Sequence, residues 1–173
     1  MLPNTFHPDR VAVWIIGRPH SRRSETILVL EKYRPNPKWK PPSGSIEYLA
    51  TKRRFETPEE TAHRELEEET GLDEPIDQGN LVDVHYKASH RYHLYSFVVE
   101  VNNFKKLRRQ GKTGERTLRY PIGCLNEPFN AELLGGIGIL QDDLDFLARV
   151  RSDRLYVPGQ FKIHRFEPSL SFA

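Results

Sequence analysis

The chain has 173 residues, of which 37% are hydrophobic and 29% charged, with a formal net charge of +2. That is enough for one ordinary domain with its own core, and it excludes wholesale disorder. No apolar run approaches the ~20 residues of a membrane-spanning helix, and a charge this small does not by itself mark a nucleic-acid binder.

Met1–Arg10 lacks the apolar stretch of a signal peptide. Arg10–Gly17 (RVAVWIIG) is apolar and β-branched and predicts a strand; Arg18–Ser24, with Pro19, predicts a turn, and Thr26–Glu31 a second strand. Lys32–Ser45 is rich in Pro, Lys and Gly and is expected to be an ordered loop. Leu81–Lys87 and Arg91–Val101 predict two more strands joined near Ala88–His90, with His93, Tyr95, Phe97, Val99 and Val101 on one face of the second. Asn102–Gly114 is polar and basic and predicts an exposed loop; Leu118–Ile122 predicts a short strand. Cys124 stands alone, so no internal disulfide forms and a reducing cytoplasm is the expected compartment. Leu140, Leu144 and Leu147 follow helical spacing, giving an amphipathic helix over about 140–151, and residues 153–173 form an expected C-terminal extension. Mixed elements in this order predict a single α/β domain over 1–173, with helices covering a mixed, mostly antiparallel sheet.

The most informative stretch is Thr57–Leu72. Thr57 is a good N-cap, Pro58 suits the first helical position, and Glu60 completes a capping box. Gly71 can take the left-handed conformation that ends a helix, and Ala62 and Leu66, four apart, can face a core. The charges run against this tidy frame. Glu65, Glu68 and Glu69 share one face, and Glu67 to Glu69 lie in the last turn, where the helix dipole disfavours anions. Each like-charge neighbour costs about 0.2–0.5 kcal/mol, and a hard divalent cation with oxygen ligands would remove that cost. A solvated acidic face is the competing explanation.

Arg64-Glu65-Leu66-Glu67-Glu68-Glu69-Thr70-Gly71-Leu72 resembles the core of the Nudix box, R-E-U-x-E-E-x-G-U with U aliphatic, at every specified position. Glu56 stands eight residues before Arg64, as the upstream Glu of the box does. In one respect the chain departs from the pattern. Ala50 stands where the box has its glycine, whereas Pro42-Ser43-Gly44-Ser45-Ile46-Glu47 resembles the P-G-G-x-x-E turn. Taking Gly44 as the box glycine implies about six extra residues within Tyr48–Phe55, which a surface loop tolerates.

The resemblance to the Nudix hydrolases implies an α/β/α sandwich. It also implies hydrolysis of a phosphoanhydride bond in a small nucleoside diphosphate derivative, with Mg2+ or Mn2+ as cofactor. On it, Glu68 and Glu69 are first metal ligands, Glu65 is a further ligand or the base for the attacking water, and a backbone carbonyl at Ser43 or Gly44 completes the shell. Arg64 pairs structurally with Glu56 or a neighbouring carboxylate. Glu115 is the best-placed extra carboxylate, ahead of Glu100. Lys52, Arg53 and Arg54 are candidates for substrate phosphates. Trp39, Tyr86, Tyr92 and Tyr95 could stack on a base, although core packing is the ordinary job of each. His85, His90 and His93 lack a helical zinc spacing. Two other functions fit the same helix: a catalytically silent nucleotide-binding or regulatory module, and an RNA 5′-end pyrophosphohydrolase. No membrane partner is expected, and the reading leaves a homodimer open.

Overall fold

The computed structural model describes residues 8–17, 25–30, 38–101, 104–112 and 114–121. The apolar first segment forms β1, Arg10–Gly17, and the second β2, Glu25–Leu30. Two short strands follow, β3 (Trp39–Lys40) and β4 (Ser43–Ser45), then a small hairpin of β5 (Tyr48–Leu49) and β6 (Arg54–Phe55). The helix α1 spans Pro58–Thr70. One 3₁₀ turn at Gln78–Asn80 leads into β7 (Leu81–Lys87), β8 (Tyr92–Val101) and β9 (Arg116–Pro121).

The main sheet runs β3-β2-β1-β8-β7, with β4 paired to β1 and β9 to β2. Only β1 and β8 are parallel, in register from Arg10 opposite Leu94 to Gly17 opposite Val101; the other pairings are antiparallel. The mixed, mostly antiparallel sheet with a helix against it is the α/β fold expected. The amphipathic helix of 140–151, which would supply the second helical layer, lies outside the described residues, as do the turn at 18–24, Cys124 and the tail.

β1 does not alternate in hydrophobicity because it is buried on both faces. Val11, Val13 and Ile15 meet Ala62 and Leu66 of α1, together with Leu72, Phe97, Val99 and Val101. This core fixes the height and rotation of α1 over β1; truncating a residue such as Leu66 to Ala would cost about 2–5 kcal/mol.

Two expectations are corrected. Within Lys32–Ser45, residues 39–40 and 43–45 are strands rather than loop: Lys40 pairs with Val29, and Ser43 to Ser45 pair with Ala12 to Arg10. Pro41 and Pro42 lack an N–H, so they turn the chain from the β2 edge to the β1 edge, while the Pro42 carbonyl still accepts from the Val13 N–H at 2.8 Å. Pairing with preformed neighbours overrides the weak strand preference of Ser-Gly-Ser. The segment after β8 is largely exposed, as expected, yet it also docks on the end of α1. Phe104 enters the core, and the Arg108 and Lys112 N–H groups donate to the Thr70 and Glu68 carbonyls at 2.8 and 2.7 Å. β9 also begins at Arg116, ahead of the expected Leu118. Among the described residues no helix is long and apolar enough to cross a membrane.

Candidate active site

α1 carries the acids, and its ends are set by local chemistry. The Thr57 hydroxyl accepts from the Glu60 N–H, and the Glu60 carboxylate accepts from the Thr57 N–H, so both halves of the capping box form. Gly71 closes the helix at φ 77°, its N–H donating to the Glu67 carbonyl.

Arg64 organises the middle of the helix. Its guanidinium grips Glu56 through two bonds, of 2.9 and 3.0 Å. It also reaches Glu65 at 2.7 Å, Glu68 at 3.3 Å and the Ser45 carbonyl at 3.1 Å. The expected Arg64–Glu56 pair is therefore present, and it ties the chain before the helix to the β4 turn. Glu56 is buried and also accepts from the Thr61 hydroxyl and the Glu47 N–H. Burial alone would raise its carboxyl, but these bonds outweigh burial and hold it below the usual range.

Glu65 and Glu69 are also buried, on the face turned to β4. A Cβ added to Gly44 would lie 1.8 Å from Glu65 Oε1, so only glycine allows the carboxylate to rest against this backbone. That contact supports Gly44, rather than position 50, as the glycine facing the acids. Burial, only partly offset by Arg64, pushes the Glu65 carboxyl up. Burial pushes Glu69 up to about 7; Lys40 and the Ser43 N–H work against the rise, and the charges of Glu65 and Glu115 add to it. Glu115, at the entry to β9, is thereby close enough to act on the cluster.

Two cations missed by sequence reasoning come in from outside the helix, Lys40 from the end of β3 and Lys112 from the segment before β9. Lys40, itself buried, places Nζ 3.4 Å from Glu69 Oε1, and the Ser43 N–H donates to Glu69 Oε2 at 2.9 Å. Lys112 donates to Glu67 at 2.8 Å. No local pattern singles out either lysine. A Cβ on Gly111 would lie 2.7 Å from the Glu69 carbonyl, a close approach that brings the Lys112 strap onto the helix.

The other predicted residues fall elsewhere. Tyr48–Phe55, the segment of the expected insertion, folds as the β5–β6 hairpin, and Arg53 takes φ 52° in its turn. Arg54 forms two 2.6 Å bonds to Glu60, and Lys52 lies 3.7 Å from the same carboxylate. These bases therefore serve the first turn of α1, about 13 Å along the helix from Glu69 at 1.5 Å per residue. Trp39 is 5% exposed, which leaves its ring to packing rather than to a base. Tyr86 is exposed and stacks at a tilt near His93, away from α1 on the β7 edge.

Carboxylate and backbone carbonyl oxygens are hard donors of the kind a divalent cation takes. Among the described residues, no three His, Cys, Asp or Glu side chains are already gathered into a cation cage. Arg64 and Lys40 are bonded to these same carboxylates.

A mixed sheet with an acid-bearing helix packed across it, and loops meeting the end of that helix, is the arrangement the sequence resemblance implies. The family model described as NUDIX domain matches residues 7–120, and the chain belongs to the NUDIX family. Similar solved structures agree on the fold. The NUDIX domain of Shewanella oneidensis NrtR, complexed with ADP ribose, superposes with a TM-score of 0.60 at 19% identity, covering 89% of this chain and 93% of that one. A NUDIX family hydrolase from Clostridium perfringens gives 0.55 at 19% identity, covering 87% and 100%. A C. elegans Ap4A hydrolase gives 0.55 at 15% identity, covering 86% and 98%. No curated protein sequence matches the chain significantly.

Proposed function

We propose that the chain is a hydrolase of phosphoanhydride bonds in nucleoside diphosphate-linked compounds, dependent on Mg2+ or Mn2+. The observation that carries this reading is the pair of buried carboxylates on the NUDIX helix, Glu65 against Gly44 and Glu69 on the Ser43 N–H. Family membership supports the reaction type. The ADP ribose and Ap4A of two structurally similar proteins both contain a nucleoside-linked diphosphate, which supports the substrate class.

Glu68 and Glu69 would hold the cation, with Glu65 as a further ligand or as the base that takes a proton from the attacking water. The Ser43 or Gly44 carbonyl and Glu115 would be additional ligands. Bound there, a divalent cation supplies neutralisation of diphosphate charge and makes water easier to ionise. Arg64 does the positioning: by holding Glu56 and the Ser45 carbonyl together it fixes the β4 turn against the helix, and with it Gly44 against Glu65. Lys52, Arg53 and Arg54 remain candidates for the far end of a long substrate rather than for its diphosphate.

A panel of dinucleotides, nucleotide sugars and nucleoside triphosphates, scored by chromatography of the nucleotide products, tests the reading. Turnover of at least one compound with Mg2+ or Mn2+, abolished by EDTA, is expected. Equal turnover in excess EDTA would overturn the metal dependence. Binding without turnover across the panel would make the chain a silent nucleotide-binding module.

A further inference from the structure

We propose that Lys40 is a resident cation of the acidic site, sharing the Glu69 carboxylate and the Ser43 carbonyl with an incoming divalent ion and so setting how tightly that ion is held. The inference rests on the hydrolase reading and goes beyond it, to the control of metal affinity by a residue outside the NUDIX helix.

Lys40 is the last residue of β3, at the corner made by Pro41 and Pro42. Its ammonium lies 2.9 Å from Ser43 Oγ, 3.1 Å from the Ser43 carbonyl oxygen and 3.4 Å from Glu69 Oε1. The Lys40 and Glu69 side chains are only 6% and 7% exposed. Lysine is almost never buried so fully unless it is paired, so the contact is a built feature of the interior. Two of the oxygens it meets, a carboxylate and a backbone carbonyl, are of the kind a hard divalent ion uses. The choice of lysine over arginine also matters. An ammonium is a compact charge on a flexible stem, without the planar fork that would lock Glu69 in a bidentate grip, so it can yield its place.

Two consequences follow from one charge. Without metal, Lys40 compensates a buried carboxylate and keeps β3 joined to α1. With metal, the same charge opposes the ion by like-charge repulsion. A lysine with a merely structural role would produce the first effect alone.

The test uses the full chain as wild type, Lys40→Gln, Glu69→Gln and the double variant. Free Mn2+ is followed by electron paramagnetic resonance during titration, beside thermal melts in EDTA and in saturating Mn2+. Lys40→Gln should bind Mn2+ about tenfold or more tightly. It should melt lower in EDTA, and gain more than wild type when Mn2+ is added. The double variant should recover most of the lost melting temperature, because no buried charge is then left alone. Wild type that binds Mn2+ with an affinity unchanged or weakened in Lys40→Gln overturns the proposal while sparing the hydrolase reading. Mn2+ binding by neither protein overturns both. If Lys40→Gln does not fold in EDTA, folding upon Mn2+ addition supports the proposal, and failure to fold in either condition overturns it.

Discussion

The two ends of α1 use the same residue type to opposite effect. At the first turn Glu60 sits where the dipole favours an anion, completes the cap on Thr57, and accepts two 2.6 Å bonds from Arg54 in the open. Those Arg54 bonds, followed by the Thr57 N–H, bring its carboxyl down to about 2. At the last turn no basic residue belongs to the helix itself, and Glu69 is buried with its carboxyl pushed up to about 7. Compensation there is brought in from outside, by Lys40 at Glu69 and Lys112 at Glu67. The first turn follows every rule of an isolated helix and the last breaks several. Broken local rules are expected where a site requires them, which marks the last turn as the proposed functional end.

The largest effect should come from removing charge at that functional end. Glu69→Gln and Glu68→Gln keep shape while deleting a proposed ligand, and should cut Mg2+-dependent turnover by about a hundredfold or more. In EDTA Glu68→Gln should melt at an unchanged or slightly raised temperature, since it removes like-charge repulsion. Glu69→Gln should melt lower, because it leaves the Lys40 ammonium buried without its carboxylate. Parallel rate assays and melts decide the matter. Variants that melt much earlier yet keep full activity would turn the last turn into a structural element, and the contrast between the two ends would collapse.

How much of this was legible before the structure differs between the same two ends. The first turn could be read residue by residue, because capping is a contact between near neighbours in sequence: Thr57, Pro58 and Glu60 are enough. The stop at Gly71 and the strands β1, β7 and β8 were readable for the same reason, being written in local propensity and periodicity. The acids of the last turn were visible as an anomaly, yet what compensates them was not. Lys40 is 29 residues from Glu69 and Lys112 is 45 from Glu67, and both sit in segments whose Pro, Gly and Lys content reads as loop. Ser43 to Ser45 have almost no strand propensity of their own and become β4 only because β1 offers an edge. The Arg64–Glu56 pair, eight residues apart, was foreseen through the family resemblance rather than through geometry.

A change in pH sharpens the comparison next, because the two ends should respond with opposite sign. The Glu69 carboxyl is raised in the folded protein, by burial above all, from an unfolded value of about 4.5 to about 7. Its stabilising proton is fully held below about pH 4.5, and that contribution is lost as pH rises through about 7, a loss of at most about 3 kcal/mol. Glu60 is lowered instead, so its contribution is present above about pH 4.5 and lost as pH falls through about 2. Melts in EDTA from pH 4 to 8 should therefore decline across the upper half of the range in wild type, with a shallower decline in Glu69→Gln. An identical slope in the two proteins would show that the buried carboxyl is not what titrates.

The smallest effect should come from the opposite end. Thr57→Ala removes the hydroxyl that accepts from the Glu60 N–H at 3.2 Å and leaves the rest of the box in place. Such a cap is worth about 1 kcal/mol, which in a chain of this size lowers the melting temperature by about 2–4 °C. The loss should be the same in EDTA and in Mg2+, because Thr57 lies about three helical turns from Glu69 and touches no proposed ligand. Turnover at saturating substrate should stay within about twofold of wild type, since the core contacts of Ala62 and Leu66, rather than the cap, set the position of the last turn. Measured side by side, Thr57→Ala should lose stability and keep rate, whereas Glu68→Gln should keep stability and lose rate. A Thr57→Ala protein whose turnover fell along with its melting temperature would show that the two ends are coupled through the helix, and that the cap helps to hold the acids in register.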